Sequence, residues 1–158
     1  MRWSILALAL ALTVQVGRAQ APNAPAPGDA GRLAALLERS GLKYQKAGEG
    51  VWLLDFAAAE GKVIRVLVAS SGGLAVFATT LKGASAAELT RDDLLAINKL
   101  NAEIDRVKVG VDDQRDLFLR VDLTLRTLDV EDLKTNASQV AAAAQKAAAT
   151  LAPRFALR

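Results

Sequence analysis

The chain has 158 residues, with 20 basic and 17 acidic side chains, no histidine and no cysteine. That composition removes the usual neutral-pH proton shuttle, the thiolate nucleophile and the common zinc ligands, and with them most hydrolase and metalloenzyme designs. It also removes disulfides, so a core must hold by packing alone, which a single domain of about 130 residues can do.

The first element reads as a leader. Arg2 supplies a positive start, Trp3 to Val16 (WSILALALALTVQV) is uncharged and apolar, and Gly17-Arg18-Ala19 offers small residues where a signal peptidase reads them. Residues 1–19 are therefore expected to be a secretory signal peptide, with Gln20 the first mature residue. About 14 apolar residues cover only ~21 Å of a ~30 Å hydrocarbon core, too little for an anchor. The expectation is an exported protein, periplasmic or secreted, with no membrane insertion after cleavage. Removing Arg2 and Arg18 from the basic residues leaves 18 against 17 acidic ones. A nearly neutral domain gives no reason to expect nucleic acid or anionic lipid as a partner. Residues 20–28 (QAPNAPAPG) hold three of the four prolines and read as a Pro/Ala-rich tether.

Asp29 to Ser40 (DAGRLAALLERS) places Leu33, Leu36 and Leu37 on one helical stripe, with Gly41 as a left-handed cap. The period then changes to two. Tyr44 lies in a short extended piece, Trp52, Leu54 and Phe56 alternate, and VIRVLVA and LAVFATTL flank Ser70-Ser71-Gly72-Gly73 as a hairpin. Thr90 with Asp93 three residues on is a capping box opening a second helix, from about Arg91 to Asn101, with Leu94, Ile97 and Leu100 as its buried stripe. Two strands follow, one with Val107, Val109 and Val111, the other with Leu117, Leu119, Val121, Leu123 and Leu125, joined at Asp112 to Arg115. Asp129 starts a last, alanine-striped helix running to about Leu151, and Pro153 follows it.

This pattern predicts an α+β domain over 29–152, with 153–158 as a C-terminal tail: an antiparallel sheet of about five strands, helices on one face, in the order α-β-β-β-α-β-β-α. The chain resembles the YbjN-like family, which shares the architecture of type III secretion chaperones. The resemblance is carried by LLERSGLKY (Leu36 to Tyr44) leading into Gly50-Val51-Trp52, the strands around Ser70 to Gly73, LAINKLN (Leu95 to Asn101) and the Asp112 to Leu125 hairpin. It implies a sensory or regulatory protein, or one that binds segments of other proteins on its sheet, commonly as a dimer. The leader sets it apart from cytoplasmic secretion chaperones.

Several motifs carry less than they suggest. Ser40-Gly41-Leu42-Lys43 matches S-x-x-K, but that serine opens a helix in the enzymes that use it, and here it closes one. Asp112, Asp113 and Asp116 lack the glycine and glutamate of a calcium loop. Asn136-Ala137-Ser138 is a formal glycosylation sequon within the last helix. No catalytic residue, metal site or cofactor is expected.

The sheet's second face is the remaining surface with a use. If Trp52, Leu54 and Phe56 point to the helices, a binding face of Leu53, Arg65, Leu67, Phe77, Lys108, Phe118, Arg120 and Arg126 points away from them, apolar groups ringed by cations. The leading expectation is a non-enzymatic binding module for a protein or peptide segment, or for a second copy of the chain. The alternative is a small-ligand sensor with its site at Tyr44, Asn98 and Asn101.

Overall fold

The computed structural model describes residues 28–83, 89–152 and 155–156. The leader and nearly all of the tether lie outside them. Helix α1 (Asp29–Ser40) buries Leu33, Leu36 and Leu37 and ends where Gly41 turns left-handed at φ 70°, a conformation that glycine adopts without a Cβ clash. Ser40 Oγ donates to Leu37 O at 2.6 Å and accepts from Leu42 N at 3.1 Å, so this hydroxyl serves the helix end. A four-strand meander follows: β1 (Tyr44–Gly48), β2 (Val51–Ala57), β3 (Val63–Ser71) and β4 (Leu74–Gly83). The two-residue spacing of apolar side chains puts Trp52 and Leu54, then Ile64, Val66 and Val68, on the covered face.

Helix α2 (Arg91–Glu103) starts with the expected box: Thr90 Oγ1 accepts from Asp93 N at 3.2 Å, and Thr90 N donates to Asp93 Oδ2 at 2.8 Å. Strands β5 (Lys108–Val111) and β6 (Leu117–Thr124) form the second hairpin. In its turn Asp112 Oδ1 accepts from the amides of Gln114 and Asp116, each at 2.9 Å. Asp129 caps α3 (Val130–Leu151) by accepting from Asp132 N at 2.7 Å. Its stripe of Ala137, Val140, Ala144 and Ala147 is buried, since small side chains let the helix approach the sheet closely.

The sheet order is β1-β2-β3-β4-β6-β5, antiparallel at every pairing among the described residues, and the helices pack on one face. None of the helices among the described residues is long and apolar enough to cross a membrane.

Three details differ from the sequence reading. Tyr44 to Gly48 is a strand in its own right, so four strands precede α2. Residues 155–156 belong to the domain: Phe155–Ala156 form β7, paired with β4 at Gly83 and Lys82, and Phe155 is 1% exposed. Leu94 is 53% exposed. Helix α2 buries Ile97 and Leu100, with Ile104 partly buried just past its end, and Leu94 lies about 90° round the helix from the centre of that stripe. The sequon, already discounted for its place in the last helix, is out of reach of a glycosylating enzyme: Asn136 is fully buried, its Nδ2 donating to Asp132 O at 2.7 Å.

Candidate functional site

The register of the sheet builds the open face. Leu53 faces Leu67 across β2 and β3, and Leu67 faces Ala78 across β3 and β4; one step along, Val51 faces Ala69, which faces Val76. Because opposed residues in an antiparallel pair point the same way, these six side chains form a block two residues deep and three strands wide. Most are half-buried, as flat neighbours on an uncovered sheet should be.

Charged pairs border the block on two sides. Asp55 and Arg65 are cross-strand partners joined by a forked pair of hydrogen bonds, Nε to Oδ1 at 2.7 Å and Nη2 to Oδ2 at 2.9 Å. Those bonds hold the Asp55 carboxyl below its usual range and raise the guanidinium of Arg65. On the other side Arg120 lies opposite Ala78 and Asp122 opposite Val76, and Arg120 Nε donates to Asp122 Oδ1 at 2.6 Å along its own strand. Beyond Arg120, across β5, stands Lys108. At the β1 edge a cleft of about 270 Å³, lined by Lys43, Tyr44, Gln45, Leu53 and Asp55, opens beside the block.

Of the face expected from sequence, Leu53, Arg65, Leu67, Lys108, Phe118 and Arg120 share this side. Phe118 does not stand over the block. Its ring lies across Gly110, its partner on β5. Two residues are corrections. Phe77 pairs with Val68 and Val121 on the covered face and is 0% exposed; β4 is apolar on both faces, so its composition does not reveal which way it is turned. Arg126 is not on a strand. Strand β6 ends at Thr124: Leu125 N still donates to Gly73 O at 2.9 Å, in register with the ladder, and Thr127 N then closes a turn on Thr124 O at 3.2 Å. Arg126 then offers its carbonyl to Arg32 of α1 at 2.9 Å.

The alternative ligand site is not assembled. Tyr44 belongs to β1, one edge of the sheet, whereas α2 packs on β5 at the other edge. Asn101 is already engaged: its Nδ2 donates to Val109 O at 2.7 Å and its Oδ1 accepts from Val109 N at 2.8 Å. Asn98 is exposed on the helix. Sequence reasoning missed Ala69, Val76 and Ala78 as members of the face; Ala69 was legible from its alternation with Arg65 and Leu67 on β3, whereas Val76 and Ala78 are placed only by the pairing of β4 with its neighbours.

An open six-stranded antiparallel sheet with three helices on one side defines the type III secretion chaperone-like fold. Solved structures similar to this chain include two from bacteria. One is YbjN from E. coli, described as a candidate transcription regulator, with a TM-score of 0.56 at 15% identity over 84% of this chain and 97% of that one. The other comes from the heterodimeric ExoU–SpcU complex of the Pseudomonas aeruginosa type III secretion system, with a TM-score of 0.55 at 20% identity over 75% of this chain and 97% of that one. At such identities the likeness is one of fold. No family model and no curated protein matches the sequence.

Proposed function

We propose that the chain is a non-enzymatic binding module of the bacterial envelope, chaperone-like or regulatory, that holds a segment of another protein on its open sheet face. The observation that carries this reading is the block Leu53, Leu67, Ala78, Val51, Ala69 and Val76, bordered by the Asp55–Arg65 and Arg120–Asp122 pairs. An apolar centre with a charged rim is the anatomy of a protein contact. The ExoU–SpcU neighbour was solved as a complex of two different proteins, which supports a protein partner for the shared fold. Export rests on the leader read in residues 1–19, and the non-enzymatic reading on the absence of histidine and cysteine.

A photo-crosslinking residue placed at Leu67 in living cells is expected to capture the partner, and one at Ala142, exposed on the helical side, is not. Leu53→Asp should abolish the Leu67 adduct while leaving the melting temperature within a few degrees, since the side chain is only half-buried. Equal adducts from both positions, or an adduct indifferent to Leu53→Asp, would remove the open face from consideration. Fractionation of the same cells tests export: a chain starting at Gln20 outside the cytoplasm supports it, and an uncleaved cytoplasmic chain overturns it.

A further inference from the structure

The open face is not symmetric in charge, and the asymmetry says what the bound segment must carry; this inference rests on the open-face reading above. Lys108 and Arg120 are direct cross-strand partners. Like charges in that position destabilise a sheet unless something negative sits between them. Arg120 is drawn away along its own strand to Asp122 at 2.6 Å. Lys108 is exposed, and among the described residues no carboxylate lies within ion-pair distance of it.

Both cations lie in the same register row as the apolar block. That row runs Leu53, Leu67, Ala78, Arg120, Lys108 across β2, β3, β4, β6 and β5. A chain lying over the leucines and continuing across the sheet therefore meets the two cations next. The Phe118 ring lies over Gly110, the next residue of β5 on the same face as Lys108, and beside an apolar ring a charge–charge contact is less screened by water than on an open polar surface.

We infer that the protein segment held on the open face carries an aspartate or glutamate whose carboxylate seats between Lys108 and Arg120, beyond apolar residues resting on Leu53, Leu67 and Ala78. Strands lie about 4.8 Å apart, so the gap between the cations is roughly 12 Å from Leu67. Same-face residues of an extended chain repeat every ~6.8 Å, which places the acid about four residues from the apolar side chain seated on Leu67. The partner's acid would complete a cation pair that the fold itself leaves short of negative charge. A phosphate backbone fits poorly, because Asp55 and Asp122 flank the same face.

The test is selection of displayed random dodecapeptides on the purified full chain, on Lys108→Glu and on Leu67→Asp. The wild type should enrich peptides with an Asp or Glu about four residues from an apolar residue. Lys108→Glu should exchange that acid for Lys or Arg, and weaken a synthetic wild-type-selected peptide by about tenfold in Kd. Enriched peptides without an acid, or an unchanged acid preference on Lys108→Glu, overturn this inference and leave the open-face reading standing. Peptides that bind Leu67→Asp as well as wild type, or no enrichment at all, overturn both. Self-association of the chain that Lys108→Glu abolishes would make a second copy the occupant and also overturn it.

Discussion

The ring of Phe118 lies across Gly110 on the neighbouring strand so closely that a Cβ added at Gly110 would stand 2.5 Å from Cζ and 2.7 Å from Cε1. Glycine is needed here for the space and not for its backbone freedom, as its φ is not positive. The ring thereby covers a position that would otherwise leave a gap in β5. Gly110→Ala must push the ring outward and should lower stability by about 1 kcal/mol. In a Phe118→Ala background the same change should be neutral or stabilising, because alanine loses less backbone entropy than glycine. Urea unfolding of the four proteins measures the coupling; simple additivity would mean the ring and the glycine do not depend on each other.

Asn101 closes the β5 edge with a side-chain amide that imitates a strand partner, donating to Val109 O at 2.7 Å and accepting from Val109 N at 2.8 Å. An exposed edge invites pairing with other chains. Asn101→Ala should destabilise by about 1–2 kcal/mol, two net hydrogen bonds, and speed hydrogen exchange at the Val109 amide. Asn101→Asp keeps the acceptor and loses the donor, so it should recover no more than half. Unchanged exchange at Val109 in either variant would count against this role.

Helix α1 is anchored at its first turn. Arg32 donates from Nε to Leu125 O at 2.8 Å and from Nη2 to Arg126 O at 2.9 Å, and Asp29 Oδ2 accepts from Gly73 N at 3.0 Å. The planar fork of arginine fits two successive carbonyls, and a lysine ammonium does not. Arg32→Ala should cost about 2 kcal/mol, and Arg32→Lys most of that amount. Thermal unfolding reads both, and full rescue by lysine would show that charge alone matters.

Two carboxylates make the domain acid-sensitive. Glu103, at the end of α2, is held below its usual range by the hydrogen bond from Lys146 on α3 at 2.9 Å, with Lys99 at 3.8 Å adding to it. Asp55 is held down in the same direction by Arg65. A lowered folded-state pKa means that the unfolded chain takes up protons first as pH falls. The stabilisation is therefore present above the ordinary carboxylate range and is lost on acidification through it. Urea midpoints should fall more steeply between about pH 5 and about pH 3 for the wild type than for Glu103→Gln with Asp55→Asn. Salt should flatten the difference, since both pairs are exposed. Identical slopes would mean that neither pair contributes.

The features legible in the sequence were local ones. The Gly41 cap, the Thr90–Asp93 box, the Asp129 cap and the alanine stripe of α3 all stand where spacing and residue type put them, because each depends on contacts within a turn or two of chain. The alternation in β2 and β3 also told inside from outside, since Asp55 and Arg65 mark one face. Where both faces of a strand are apolar, as in β4, the side was decided by the partners: pairing with Val68 and Val121 turned Phe77 inward. Beyond β6 the chain was placed by long-range partners, Gly73 for Leu125 and Arg32 for Arg126, and the burial of α2 was decided by how little of it reaches β5 and α3. The same long-range register put Lys108 beside Arg120 and Phe118 upon Gly110. Cross-strand neighbours belong to separate local segments, so only the packed sheet brings them together.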